Sequence, residues 1–292
     1  MPALHYFDGA GDRTVRQPFT DAVPGLTVNQ EHIRKEYQGE ISMKLWGFWD
    51  KNKKQDQKET LWLEKLPVDT GSWDQVFSAC LGKMTAIQTA CGEQVVKDQN
   101  WHVDFSRGVI YFGEQAYPLQ LIGSEASSDD SWLWGWKNIN GLPESLLHLA
   151  NSTKTVGERW KLDPLTMAGF ALNDTFNGHT LSVVACGLAE RYCYYRCPHS
   201  GGAVFVAFSG VPDSVFAPVD AQKFLSITMQ CIQQFDVDHR AFVEGFLTWN
   251  NTSYDWDGQT LLAHFPQELK IVFEQADKSL RICSMDTEPF EK

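Results

Sequence analysis

The chain has 292 residues, 43% apolar and 21% charged, enough to bury a sizeable core in one large domain or two small ones. Thirty-seven acidic against 25 basic side chains leave a net charge of −12, the opposite of the Lys/Arg footprint that nucleic-acid binding requires. Apolar runs such as Ala203 to Phe208 are far too short to span a bilayer, and Met1-Pro2-Ala3-Leu4-His5 lacks the start of an export signal, so a cytoplasmic protein without a membrane partner is expected.

The first 70 residues read as an N-terminal extension on a main domain covering 71–292, itself suggestive of two sub-units, 71–140 and 141–292. In the extension, Gly9 to Gly25 is loop-like, Ile41 to Trp49 has strand character, and Lys51 to Glu59 is a solvated polar run. From Trp73 the periodicity turns helical: Trp73, Phe77, Cys80, Leu81, Met84, Ile87 and Cys91 recur at spacings of 3 and 4 along one stripe. Strands are expected at Trp101 to Phe105, Val109 to Phe112, Tyr117 to Gly123 and Ser131 to Lys137, with Ser106-Arg107-Gly108 and Gly113-Glu114-Gln115 as turns. A helix opens at Pro143 and runs toward Trp160, and another covers His179 to Arg191. Tyr192 to Cys197 and Ala203 to Phe208 form a hairpin. A helix over Val219 to Phe235 would turn Phe224, Leu225, Met229, Ile232 and Phe235 inward, followed by a short helix at Ala241 to Trp249. Strands at Thr260 to Phe265, Leu269 to Phe273 and Leu280 to Ser284 close the chain. The fold class this order predicts is α+β, helices on antiparallel sheets in two helix-plus-meander units.

Seven cysteines without regular spacing, in a chain with no export signal, read as reduced thiols. Cys193-Tyr-Tyr-Arg-Cys197-Pro-His199 offers three zinc ligands, but no second pair completes a site, so no metal and no cofactor is expected. Cys197 with His199, and Cys186 with His179, are formal thiol–imidazole pairs, but seven cysteines and eight histidines supply such pairs by number alone. Asp236 and Asp238 would end the helix before them. Hydrolase, zinc-peptidase, phosphate-loop, dinucleotide and EF-hand motifs are absent, so no catalytic residue is assigned.

The most unusual segment is Ser131-Trp132-Leu133-Trp134-Gly135-Trp136-Lys137-Asn138. On a strand, Trp132, Trp134 and Trp136 share one face, either as core or as the wall of a ligand pocket. The stretch resembles an uncharacterised family of bacterial domains with a W-L-W-x-W-x-N strand preceded by a G-[TS] pair, matched here by Gly123-Ser124. Trp101 to Phe112, Thr260 to Pro266 and Leu269 to Glu274 extend the resemblance over roughly Trp73 to Met285. It implies a shared fold unit and a bacterial source, and nothing about catalysis.

The last 80 residues carry 13 acidic and 6 basic side chains, a net of −7. Acidity without a catalytic motif favours a protein that binds a basic protein partner, most concretely an immunity protein that blocks the active site of a bacterial toxin. Its candidate contacts are Asp236, Asp238, Asp255, Asp257, Glu125, Asp129 and Asp130, with Tyr254 and Trp256 as aromatic anchors. A plainer reading of the Asn251 to Gly258 loop is a hairpin turn with a half-buried tryptophan. The alternative function is a small-ligand binder or enzyme with a pocket lined by Trp132, Trp134 and Trp136, served by His102, Asp104 and His179.

Overall fold

The computed structural model describes residues 60–276 and 279–287, so the expectations for the first 59 residues lie outside the described part. The organising element is helix α1 (Trp73–Cys91). Every residue from Val76 to Ile87 is buried, so the stripe read from the sequence is one side of a helix that is enclosed all round.

Antiparallel strands β1 (Trp101–Asp104), β2 (Val109–Phe112), β3 (Gln115–Ala126) and β4 (Ser131–Trp134) follow as a meander. Then come α2 (His148–Trp160), the single turn α3 (Asp163–Thr166), the short strand β5 (Gly169–Ala171), α4 (Gly178–Leu188) and the hairpin β6 (Cys193–His199) with β7 (Gly202–Phe208). The first sheet runs β1-β2-β3-β4-β5, with β7 on the other edge of β3 and β6 outside it. Residues 123–126 of β3 pair with β4 on one side and β7 on the other. This sheet therefore takes strands from both expected sub-units, and the division near residue 140 is not one of layers.

Helices α5 (Ala221–Gln234) and α6 (His239–Trp249) lead into a second antiparallel sheet of β8 (Tyr254–Asp257), β9 (Thr260–Ala263), β10 (Leu269–Ala276) and β11 (Ser279–Thr287), in the order β11-β10-β9-β8. The α+β class read from the sequence is borne out. Helix α4 packs on β3, β6 and β7, α6 packs on β11, and α1 lies against both helices. Among the described residues no helix is long and apolar enough to cross a membrane.

Local chemistry sets most boundaries. Asn177 accepts from the backbone N–H groups of His179 and Thr180 and starts α4, and Asp220 does the same for α5 through Lys223. Asp238 starts α6 by accepting from the Ala241 N–H, so it opens the following helix and does not end the one before. Pro143 caps a 3-10 turn (Glu144–Leu146), and the helix expected there begins later, at His148.

The inward face of α5 is a correction. Phe224, Ile227, Thr228 and Cys231 are buried, whereas Leu225 and Ile232 are half-buried and Met229 is 44% exposed. Two apolar stripes run along this helix. The chosen one carries the smaller Thr228 and Cys231, and Cys231 Sγ lies 3.4 Å from Thr85 Oγ1 of α1.

Close helix contacts at α1 depend on glycines. A Cβ on Gly82 would sit 2.6 Å from Phe246 Cγ of α6, and one on Gly245 would meet the Ala79 carbonyl oxygen and lie 2.7 Å from Ala79 Cα. At Gly187 of α4 the obstacle is Cys80 Cβ, at 2.6 Å. Lys83, 3% exposed, donates from Nζ to the carbonyls of Gly187 (2.8 Å) and Ala189 (2.5 Å), tying α1 to the C-terminal end of α4 where the helix dipole favours a cation.

Alanine ordinarily stabilises a helix by up to about 1 kcal/mol over glycine, but Gly245→Ala is expected to destabilise by about 2–3 kcal/mol, because the obstacle is backbone. A urea titration reads the difference, and an unchanged or higher midpoint would refute it.

The second prediction concerns alkaline pH. Burial pushes the Cys80 and Cys231 thiols up to about 12 and Cys186 and Cys197 well above the ordinary 9, while Cys193 is raised by its hydrogen bond to Cys91 and by burial. Above pH 9 the unfolded chain releases protons that the folded chain keeps, so each thiol costs about 1.4 kcal/mol of stability per pH unit. Lys83 opposes this: burial lowers it from 10.5 to about 8, so it adds stability as pH rises between those values. One lysine loses to five thiols. The urea midpoint should fall between pH 9 and 10.5, and fall more steeply in Lys83→Met.

Candidate functional site

The acidic loop singled out by the sequence forms the hairpin β8–β9. Asp257 pairs with Thr260 across the two-residue loop Gly258-Gln259, and Gly258 takes φ 59°, the positive value that tight hairpin loops require at their first position. Strand alternation turns Tyr254 and Trp256 toward the protein, both half-buried, and sends Asp255 and Asp257 into solvent. The hairpin with a half-buried tryptophan is thus what the loop is.

Trp256 holds the strand down. Its indole N–H donates to Glu244 Oε1 (2.9 Å), its ring lies 5.1 Å from Phe273, and the Arg240 guanidinium sits over it at 4.9 Å. Glu244 is 2% exposed, and the same oxygen accepts from Arg240 Nε at 3.3 Å. Tyr254 is raised above its usual value by burial and then by the Glu244 carboxylate. Both aromatic side chains therefore anchor the hairpin to its own protein, and each stays half-exposed.

Asp255 is 84% exposed and meets His264 Nε2 at 2.9 Å, while Glu268 meets His264 Nδ1 at 3.2 Å. The hydrogen bonds from Asp255, first, and Glu268 raise the His264 pKa above 6.5. Sequence reasoning missed His264, Glu268, Glu244 and Arg240. The i, i+4 spacing of His264 and Glu268 was readable, but their meeting with Asp255 depends on the hairpin.

The other acids are scattered. Asp236 is exposed and joins Arg281 of β11 at 2.9 Å, and Asp238 is engaged as a helix cap. Glu125 is not an open contact: its side chain is 16% exposed, accepts from the Gly178 N–H at the start of α4 (2.8 Å) and pairs with Arg196 at 3.5 Å. Asp129 and Asp130 are exposed in the β3–β4 turn, where Asp129 accepts from Ser131 Oγ and Asp130 takes φ 47°.

The tryptophan pocket does not survive. Trp132 and Trp134 are 1% and 0% exposed and pack edge to face at 5.4 Å, with Trp132 also against Phe205. The strand ends at Trp134 and Gly135–Lys137 is a 3-10 turn, so Trp136 leaves the shared face and lies half-buried under Lys154 Nζ, 4.5 Å from its ring. Asn138 closes the turn by bonding both backbone groups of Leu142. Gly123 has a packing role, since a Cβ there would meet the Trp132 ring and the Leu133 carbonyl (2.7 Å).

His102 and Asp104 lie on β1, where His102 stacks on Tyr111 and Asp104 caps the turn through Ser106 and Arg107. His179 packs edge-on against Phe205. Cys186 and Cys197 are buried with raised pKa values, the reverse of an activated thiolate. Among the described residues no three His, Cys, Asp or Glu side chains are grouped to hold a metal ion.

The strand-and-helix unit holding Gly123, Trp132 and Trp134 is also where similarity to known proteins falls. Residues 74–211 match a family of unknown function (DUF6882). The resemblance to an uncharacterised family is borne out there, from α1 to just past β7, while α5, α6 and the second sheet lie beyond the match. No curated protein and no solved structure matches the chain.

His264 supplies a direct test of the hairpin. Its attraction to the two carboxylates is present at low pH and is lost as pH rises through its raised pKa. NMR titration should find its imidazole above 6.5 and Asp255→Asn should lower it; an unchanged midpoint in the variant would remove Asp255 as the first cause.

Proposed function

We propose that the chain is a cytoplasmic, acidic protein-binding protein, most concretely an immunity protein that neutralises a basic bacterial toxin by covering its active site. The observation that carries this reading is the β8–β9 hairpin: Asp255 and Asp257 point outward on a strand whose other face is fixed by Trp256, Glu244 and Phe273. A fixed pair of carboxylates on a chain of net charge −12 attracts a basic surface at long range and presents acceptors to Arg or Lys on contact, with little ordering cost. The exposed Asp236 belongs to the same C-terminal acidic half. Burial of Trp132 and Trp134 in the core weighs against the ligand-pocket alternative.

Tagged protein used as bait in a lysate of its native host should recover one basic protein in stoichiometric amount at low salt and less of it at high salt. Reversing both carboxylates (Asp255→Lys with Asp257→Lys) should slow association with that partner about tenfold at low salt and leave the thermal midpoint nearly unchanged. A partner bound equally well by the reversed variant, or no partner at either salt, refutes the reading.

A further inference from the structure

The α5 correction leaves apolar surface unexplained. Leu225, Met229 and Ile232 are outward on α5, at spacings that put them on one face, and they line a groove of about 480 Å³ with Ile282, Cys283, Ser284 and Met285 of β11. The helix runs antiparallel to the strand, since Asp236 just beyond its C-terminal end bonds Arg281 near the start of β11.

Four consecutive residues of β11 line this groove, and the β10–β11 ladder shifts register there, with Cys283 as the extra residue of a β-bulge, so strict side-chain alternation does not hold across them. The groove lies along the β11 edge. Among the described residues that edge is outermost in its sheet. Hydrogen-bond phase shows which groups it offers. The Phe273 N–H donates to Gln259 O, toward β9, so Phe273 and, two residues back, Ile271 direct their backbone groups away from β11. Their cross-strand partners Ile282 and Met285 then direct theirs away from β10. At Ile282 the N–H is taken by His239 Nδ1 at 3.0 Å, which closes one end of the edge. At Met285 no described residue takes the outward N–H and C=O.

The charges beside the groove are matched within the protein: Arg281 bonds Asp236 and lies across from Glu274, and Asp286 lies across from Lys270. Selection there falls on shape, apolar contact and backbone pairing.

We propose that the α5–β11 groove binds an extended segment of a partner protein, which adds as a strand to β11 at Met285 and places alternate apolar side chains against Leu225, Met229 and Ile232. A helix beside an open strand edge is the arrangement by which strand addition recognises peptides, with backbone bonds giving affinity and side-chain pockets giving selectivity. The proposal shares with the preceding section only the premise that the chain binds protein; it uses a different surface and a different force. Association at the hairpin weakens with salt, and binding in the groove does not.

The probe is a fluorescein-labelled peptide, Lys-Thr-Val-Thr-Ile-Thr-Val-Thr-Lys, titrated into the full chain, beside the same peptide N-methylated at alternate residues. The unmodified peptide should bind with a Kd on the order of 100 μM. N-methylation and Met229→Glu should each weaken it at least about tenfold; Met229 is exposed, so the variant keeps its fold, which its thermal midpoint verifies. Raising salt from about 50 to about 500 mM should change the Kd less than about twofold, and the Met285 amide should gain protection from exchange. No binding at about 1 mM, equal binding of the methylated peptide, or indifference to Met229→Glu overturns the proposal. So does sedimentation showing a dimer that Met229→Glu dissolves, which would make the occupant a second copy of this chain. Failure of the hairpin charge reversal leaves the peptide result standing, so the two readings fail separately.

Discussion

Enclosure of α1 is the constraint on which the other elements depend. A helix buried over its whole circumference cannot tolerate bulk at its contacts, so glycines are required where α4 and α6 cross it, and each polar residue on it must find a partner inside. Gly82, Gly187 and Gly245 meet the first demand. Ser78 meets the second by donating to the Asp74 carbonyl while accepting from the Asp238 N–H, and Lys83 by capping the end of α4. Ser78 also links the middle of α1 to the first turn of α6, which fixes where α6 points and so where the second sheet begins.

The hairpin inherits its position from that chain of contacts. Helix α6 carries Arg240 and Glu244 on the side that meets β8, and the pair of them receives the Trp256 indole. Asn250 closes the helix by bonding both backbone groups of Val219, so the end of α6 is tied to the start of α5. The exposed carboxylates are therefore mounted on a framework that runs back to the centre of the molecule, and a partner meeting them would find them already in place. At the opposite edge of the same sheet, the α5–β11 groove is a product of the same helix pair. Two surfaces of different character, one charged and one apolar, thus come from one packing solution.

Single-position physics was readable in the sequence where one local rule dominated. The Val109 to Phe112 strand, the β6–β7 hairpin and the α6 helix follow from alternation, turn residues and apolar content, whereas alternation alone leaves the tryptophan segment open between core and pocket wall. Two errors came from periodicity with more than one solution. On α5 either of two stripes satisfied the 3.6-residue repeat, and the one with Thr228 and Cys231 is buried, Cys231 Sγ lying 3.4 Å from Thr85 Oγ1 of α1. After Trp134 the alternation of tryptophans continued in the sequence, but Gly135 packs 2.8 Å from the Leu121 carbonyl oxygen by its would-be Cβ, and the chain turns there. The strand β5 was missed because three residues paired at a sheet edge carry almost no pattern of their own.

The sequence by itself determined the α+β class, the acidity and the lack of familiar catalytic motifs, because composition, alternation and turn chemistry act over a few neighbouring residues. Only the tertiary structure decided how each acid is used, turning Glu125 and Asp238 inward as caps while leaving Asp255, paired with His264, and Asp257 exposed. It alone decided that Trp256 packs on its own protein and that, among the described residues, the outermost strand edge of the second sheet lies beside Met229. Those outcomes depend on pairs far apart in the chain, Glu125 with Gly178, Ser78 with Asp238, Phe273 with Gln259 and Ile282 with His239, whose meeting is set by how helices and sheets pack and not by any spacing along the sequence.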